Sequence, residues 1–389
     1  MRILLNGAPM MGRLTGIGQY GLCLLEALAA LPRQLGVEAV GVFDGREVKP
    51  VEQFLAALRG RQPNAGAGRL KQMVRWAWPG CRDWADRWRR QRLTSQTRHT
   101  RWNVFHETNF ISPQSALPQV TTVHDMSYLR CPEFLPKDRL TWLRRRMDRS
   151  LAVSRVVITD SHFTRDELLE LCPQVDAKRV VVTHLGVDID YFSDSTHARR
   201  IGEVRAKLGL PGRFVLYLGT LEPRKNLQGL LQGYCRLPEA LQREYPLVLA
   251  GMRGWNQSYF RRDLDELRRR KVLFEVGYVD SGDVPPLMKA ASVFCFPSLY
   301  EGFGLPPLEA AACGTPVLSS RAASLPEVLG DAAWYVDPHS PDEIAAGLER
   351  LLDDEPLAKR LAVAGVARAA LFSWENCARQ TLTAYRAAA

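Results

Sequence analysis

Two glutamates, Glu301 and Glu309, stand with seven residues between them in the stretch Tyr300-Glu301-Gly302-Phe303-Gly304-Leu305-Pro306-Pro307-Leu308-Glu309. Further upstream, Arg224 and Lys225 follow the run Phe214-Val215-Leu216-Tyr217-Leu218-Gly219-Thr220. Arginine can grip two phosphate oxygens at once and lysine adds a mobile point charge, so this pair can neutralise a diphosphate without a metal ion. Both motifs come just after β-branched and aromatic runs, at the carboxyl edge where open α/β sheets bind ligands. Pro306 and Pro307 suit a first helical turn. Glu301 is therefore expected in a loop and Glu309 on the helix behind it. The amides of Gly304 and Leu305 would face the cleft at the helix N-terminus, a natural seat for phosphate. Paired glutamates also fit a glycosidase, with one acid and one base or nucleophile. The glycines and the basic pair describe a phosphate site, which a glycosidase does not need.

A second candidate is Gly16-Ile17-Gly18-Gln19-Tyr20-Gly21, which fits G-x-G-x-x-G, with Asp44 at the end of the next strand. That is the dinucleotide fingerprint of NAD-dependent enzymes. In the fingerprint the glycines follow the first strand directly, whereas here residues 8–15 intervene. The expectation is a mobile glycine loop ahead of a helix N-terminus, offering Gly16 and Gly18 to an anion. The plainer alternative is a helix-entry turn.

These residues need a scaffold, and the chain alternates strand-like and helix-like segments throughout, the pattern of α/β folds with mainly parallel sheets. Strands are expected over 2–7, 37–43, 104–106, 120–123, 156–159 and 180–183, then over 214–219, 246–250, 272–276, 292–296 and 316–319. Helices are expected over 18–31, around 140–151, from Ser161, and over 373–387. At 389 residues the chain suits two domains of similar size. We expect them at 1–195 and 196–372, with a polar, aperiodic linker near 193–201 and a final segment, 373–389, packing back on the first.

Hydrophobic content of 46% with 24% charged residues is that of a folded protein. No apolar run is long enough to cross a bilayer, and the N-terminus is too short and polar for a signal peptide, so a cytoplasmic location is expected. The eight cysteines are scattered, with no Cys-x-x-Cys pair and no histidine at zinc spacing, which argues against a metal site and a disulfide framework. The net charge of +10 is uneven. Between Arg69 and Arg101 ten Lys/Arg face two Asp, interleaved with Trp76, Trp78, Trp84 and Trp88 and followed by Trp102. A second cluster contains Arg144, Arg145 and Arg146. A solvated helix face is one reading of the first stretch. Another, centred on Arg75, Trp76, Arg87, Trp88, Arg89 and Arg90, is contact with an anionic membrane surface or a lipid-pyrophosphate acceptor. Nucleic-acid binding has no recognisable module behind it.

At the residues quoted above the sequence closely resembles the retaining GT-B glycosyltransferases of family 4, and the resemblance covers nearly the whole chain. Glu301 and Glu309 meet the family's Glu-x7-Glu signature, and Arg224-Lys225-Asn226 matches its donor-diphosphate clamp. Gly277-Tyr278-Val279 matches the segment that meets the nucleotide base. Val123-His124-Asp125 matches the strand end whose histidine faces the transferred sugar. His106-Glu107-Thr108-Asn109-Phe110 and His124-Asp125-Met126-Ser127-Tyr128 look most like mannosyl- and rhamnosyltransferases of bacterial polysaccharide assembly, of the O-antigen type.

The resemblance implies two Rossmann-like domains facing across a cleft and metal-independent transfer from a nucleotide sugar, GDP-linked by preference, without a further cofactor. Glu309 would hold the ribose hydroxyls, Glu301 a sugar hydroxyl, and His124 would orient the sugar. The donor site would comprise Gly16, Gly18, Gly219, Thr220, Arg224, Lys225, Tyr278, Val279, Glu301, Gly302, Phe303, Gly304, Leu305 and Glu309. A lipid-linked oligosaccharide acceptor and a peripheral position on the inner membrane's cytoplasmic face follow from the same likeness. UDP- or dTDP-sugar donors, a GT-B sugar-nucleotide epimerase and a silent lectin-like binder are the alternatives.

Overall fold

The computed structural model describes residues 1–12, 16–59, 81–98, 100–113, 115–252, 254 and 261–389. Two sheets organise them. The first contains β1 (Arg2–Asn6), β2 (Ala39–Phe43), β3 (Val48–Pro50), β4 (Val104–Glu107), β5 (Gln119–Val123), β6 (Val156–Thr159) and β7 (Val180–Val182). The second contains β8 (Val215–Leu218), β9 (Leu247–Ala250), β10 (Leu273–Gly277), β11 (Val293–Phe296), β12 (Val317–Ser320) and β13 (Ala333–Val336). Their orders are β3-β2-β1-β4-β5-β6-β7 and β10-β9-β8-β11-β12-β13. Strand order reverses between β1 and β4, and again between β8 and β11. At such switch points a crevice opens beyond the strands' carboxyl ends. The expected pair of Rossmann-like units is therefore present.

All pairings are parallel except β2 with β3. That antiparallel edge strand was not anticipated, because three residues ending in Pro50 carry almost no strand signal. Proline is tolerated there because an edge needs no further donor. β13 was also missed. Strands β4, β5, β6, β11 and β12 are buried along their whole length. This explains the near-continuous apolar sequences of β6 and β11, as both faces carry helices.

The first sheet's core contains one polar thread. Tyr20 Oη lies 2.9 Å from Thr122 Oγ1, which lies 2.7 Å from His106 Nε2, and His106 Nδ1 lies 2.7 Å from Tyr385 Oη. Burial drives the His106 pKa down to about 3, so the ring is neutral and can both donate and accept. The thread joins the helix Gly16–Ala30, β5, β4 and the C-terminal helix Trp374–Ala388, whose Cys377, Leu382 and Tyr385 share a core with Ile3, Leu24 and Leu28.

Two sequence expectations need correction. Residues 193–201 are mostly helical, not an irregular linker. The helix Thr196–Leu208 starts where Asp194 Oδ1 accepts from the Thr196 amide at 2.8 Å, and ends at left-handed Gly209. Its capping and its packing against the helix Val284–Ala290 outweigh its polar composition. Gly16, Gly18 and Gly21, expected in or beside a loop, lie instead within the first turns of the helix Gly16–Ala30, while residues 13–15 lie outside the described residues. Gly21 serves packing instead. A Cβ there would lie 2.8 Å from Met10 Cε, so its lack of a side chain lets the helix press against the turn Ala8–Met11.

The chain crosses between the sheets near Gly186 and returns at Phe372–Trp374. Val187 N–H donates to Phe372 O at 2.9 Å. A Cβ on Gly186 would meet Trp374 N at 2.2 Å, which is backbone and cannot swing away. Gly186→Ala should therefore cost roughly 1–3 kcal/mol, the usual penalty of overpacking, and urea unfolding should reveal it as a lower midpoint with unchanged slope.

Candidate active site

The donor-type residues converge at the carboxyl ends of β8 and β11. Past β8 the backbone of Gly219 is clamped. Its N–H donates to Ala250 O at 3.0 Å, and a Cβ on Gly251 would lie 2.0 Å from Gly219 O. Tyr217 Oη donates to Thr220 O at 3.1 Å. The turn Pro223–Lys225 then carries both cations inward. Asn226, in the left-handed conformation, caps the following helix through Gly229 N–H at 3.2 Å and anchors the turn by donating to Pro297 O and Pro338 O.

Arg224 and Lys225 both meet Glu301. Lys225 Nζ lies 2.5 Å from Glu301 Oε1 and 5.1 Å from the Phe296 ring centroid. Arg224 Nη1 donates to Tyr300 O at 2.7 Å and lies 3.4 Å from Glu301 Oε2, while Nη2 reaches Glu222 Oε1 at 3.0 Å. Burial opposes ionisation of Glu301, but Lys225 and Arg224 outweigh it and hold its pKa below the usual range. Glu222, buried and two residues before Arg224, was overlooked in the sequence, where only that proximity marked it.

Glu309 contrasts with Glu301. It lies on the helix Leu305–Ala312, half-buried, and its carboxyl makes no hydrogen bond or ion pair with any described residue. Burial alone pushes its pKa up to about 7. Gly304 caps this helix with φ 98°, a left-handed conformation that glycine adopts without strain. Because Pro306 and Pro307 have no N–H, the amides available for a ligand at this end are those of Gly304 and Leu305. Tyr278 is exposed and Val279 buried just past β10, whose last residue Gly277 also has positive φ.

From the first half, His124 at the end of β5 faces the same region. Its Nδ1 lies 2.6 Å from Asp160 Oδ2, and its Nε2 donates to Thr108 O at 2.9 Å. The rings of Tyr20 and Phe110 flank it edge-on, with centroids 4.9 and 5.5 Å away. Burial lowers its pKa, but the Asp160 carboxylate and the Thr108 carbonyl outweigh that and raise it overall. Both ring nitrogens are thus engaged. The sugar contact expected of this ring would have to displace one of these partners. Asp125 is held below the usual range despite burial, chiefly by Arg224 across the cleft and by Ser127.

The halves meet through polar contacts that sequence reading did not identify. Ser161 and Thr164 hydroxyls donate to Gly302 O at 2.7 and 3.1 Å. Tyr300 Oη accepts from Met126 N–H at 3.1 Å and donates to Glu167 at 3.2 Å. Glu327 accepts from the amides of His162 and Phe163, completing the N-terminus of the first-half helix His162–Leu171. These partners sit far apart in the chain, so no local spacing reveals them.

Elsewhere in the first half, Glu107 at the end of β4 accepts from Asn6 Nδ2 and the Asn109 amide. Burial pushes it up to about 8 despite these bonds and the nearby Arg89. Arg89 belongs to the tryptophan-bearing helix Cys81–Thr97, which buries Leu93 against Leu4, Phe43 and Phe105. Trp84 is 57% exposed, Arg87, Arg89 and Arg90 are also exposed, and Trp88 stacks under Arg92. Asp86 pairs with Arg146, tying this helix to the second basic helix, Lys137–Val153. Arg75 and Trp76 lie outside the described residues. No helix among the described residues is long and apolar enough to cross a membrane.

Comparison with known proteins agrees with this geometry. The family model "Glycosyltransferase Family 4" matches residues 16–191, and "Glycosyl transferases group 1" matches residues 201–367. The chain is 36% identical over 401 residues to the O-antigen chain mannosyltransferase B of Escherichia coli, covering 99% of this chain and all of that protein (100%). It is 35% identical over 239 residues to the serotype-specific mannosyltransferase WbdA of Escherichia coli, a match spanning 61% of this chain and 28% of that longer protein. Among solved structures, Anabaena Alr3699/HepE in complex with UDP and glucose superposes with a TM-score of 0.69 at 20% identity, covering 98% of each chain, which is a likeness of fold.

The isolated Glu309 carboxyl has a consequence for stability. A carboxyl whose folded pKa exceeds its unfolded one adds stability below the unfolded value, and that contribution is lost as pH rises through the folded one, here about 7. Glu309→Gln should therefore melt at a higher temperature than the parent at pH 8, with the gain vanishing near pH 4. A gain independent of pH would contradict the raised pKa.

Proposed function

The chain belongs to the GT-B glycosyltransferases of family 4, and from that premise we propose that it moves a mannosyl unit, or a D-rhamnose-type hexose, from a GDP-sugar to a lipid-linked glycan with retention of configuration. The observation that carries this reading is the division of labour at the donor site. Two cations converge beside a helix N-terminus, with one ionised carboxylate between them and a second that has no cation of its own. That set matches a diphospho-sugar. Arg224, Lys225 and the Gly304 and Leu305 amides would take the diphosphate, Glu301 a sugar hydroxyl, and Glu309 the ribose hydroxyls. Gly16, Gly18, Gly219, Thr220, Gly302, Phe303, Tyr278 and Val279 would line the rest. The mannosyl choice and the O-antigen setting draw on the likeness to the Escherichia coli mannosyltransferases.

In the proposed step, the acceptor hydroxyl oxygen bonds to the anomeric carbon as the carbon–phosphate oxygen bond breaks on the same face. The hydroxyl proton passes to the departing phosphate oxygen. Arg224 and Lys225 stabilise the charge gathering on that diphosphate, a contribution that grows in a closed, water-poor site. No metal enters this step. The engaged His124 ring would act through its position beside the sugar, giving up the Thr108 or the Asp160 bond if it binds a hydroxyl directly.

Nucleotide release from a panel of GDP-, UDP- and dTDP-sugars with lipid-linked acceptors tests the proposal. GDP release with glycoside formation is expected, and Lys225→Ala should slow it by about 10²–10³-fold, the usual loss for one transition-state donor. Release of UDP alone would transfer the reading to a UDP-sugar enzyme. A free epimerised sugar nucleotide would replace it with an epimerase.

The exposed arginines of the helix Cys81–Thr97, with Trp84 beside them, support peripheral contact with an anionic membrane face. Replacing Arg87, Arg89 and Arg90 together by Gln should weaken sedimentation with anionic vesicles, and raised salt should do the same to the parent. Sedimentation indifferent to both changes would make this helix an ordinary solvated face.

A further inference from the structure

Three metal-ligating side chains outside the donor site meet where the two halves join. His162 opens the helix His162–Leu171 and His184 follows β7, both in the first half. Glu327 lies on the short helix Leu325–Leu329 of the second half. Their donor atoms all lie within 4.8 Å of one another. The imidazole rings stand edge to face with centroids 5.4 Å apart, and His184 Nε2 is 2.7 Å from Glu327 Oε1. His162 is exposed and the other two are half-buried, which leaves an approach from solvent.

We propose that this cluster binds a single divalent ion of the zinc class, which clasps the two halves of the chain together. Two imidazoles and a carboxylate suit zinc, copper or nickel, whereas magnesium and calcium prefer all-oxygen sets. Three protein ligands leave a fourth position to water. Two of the three ligands are held before any ion arrives. Glu327 is fixed by the His162 and Phe163 amides at 2.8 and 3.0 Å. The His184 ring packs against Phe303 and Phe372, with centroid separations of 6.2 and 5.7 Å. Such outer contacts orient ligands and raise affinity. On binding, the His184 Nε2–H···Oε1 hydrogen bond gives way to two metal bonds, and the ring proton moves to Nδ1.

No zinc motif is legible in the chain because the three ligands come from three separate segments. Since they come from both halves, the ion binds the joined arrangement and not a parted one. Mass action then favours joining. Any turnover step that requires the halves to part is slowed. This inference is independent of the donor chemistry and survives if the sugar assignment fails.

The test uses the untagged full-length chain, dialysed against micromolar zinc chloride, washed, and assayed for bound metal by elemental analysis. About one zinc per chain is expected in the parent and none in His162→Ala or His184→Gln. Zinc should raise the melting temperature of the parent and of neither variant. His162 is exposed, so His162→Ala removes a ligand without opening the core, and its zinc-free melting curve checks that directly. A parent that retains no zinc overturns the proposal, as does a His162→Ala chain that retains the parent's stoichiometry, since the ion would then sit elsewhere.

Discussion

No side chain can stand at residue 302, because a Cβ there would lie 1.7 Å from the His124 carbonyl oxygen. Bare backbone of the second half rests against backbone of the first. That close approach sets the position of everything around it. The Gly302 carbonyl can be reached by the Ser161 and Thr164 hydroxyls only at this range, and Tyr300, two residues earlier, can reach Met126 and Glu167. Glu301 lies between these two anchors. Its carboxylate is therefore positioned from both sides of the cleft, while its charge is balanced from the second half alone, by Lys225 and Arg224.

The two glutamates of one motif are prepared in opposite ways. Glu301 is kept ionised by adjacent cations, which also means that those cations are not left unpaired when the site is empty. An unpaired buried charge is costly, and the Glu222–Arg224–Glu301–Lys225 cluster avoids that cost. Glu309 has burial without a cation, and its raised pKa is the signature of a polar group waiting for partners. Hydroxyl groups can supply such partners and a metal ion is not required. Spacing alone could not reveal the difference, since the two residues are identical in type and only the fold decides which one the basic turn reaches.

The parts of the fold that were legible in the sequence are those where a short-range signal suffices. Apolar runs marked β1, β6, β8 and β11 to within a residue, and Pro306 and Pro307 marked the helix that carries Glu309. The basic pair and the glutamates were legible because chemistry and position agreed at one sheet edge. What escaped needed contacts far apart in the chain. Gly16 and Gly18 matched a loop pattern, yet they are helical, because a glycine pattern specifies freedom of the backbone and not the conformation chosen. The segment around Thr196 looked like a linker until its bonds to Asp194 and its packing partner were known. Glu327 and Asp160 carried no local mark at all, although each is bonded across segments in the fold.

The contacts between the two halves are of two kinds. At the seam the bonds are hydroxyl to carbonyl and carboxylate to amide, and water can replace most of them at a net cost of about 1 kcal/mol each. At the crossing, Leu185, Val187 and Phe372 share an apolar cluster with Phe303 and Leu308, and Gly186 is wedged against Trp374 backbone. Water offers nothing in exchange for that packing. Separating the halves would therefore cost little at the polar rim and more at the apolar crossing. The C-terminal helix, fastened to the first sheet through the Tyr385–His106 bond, holds the returning segment 372–374 on the first half.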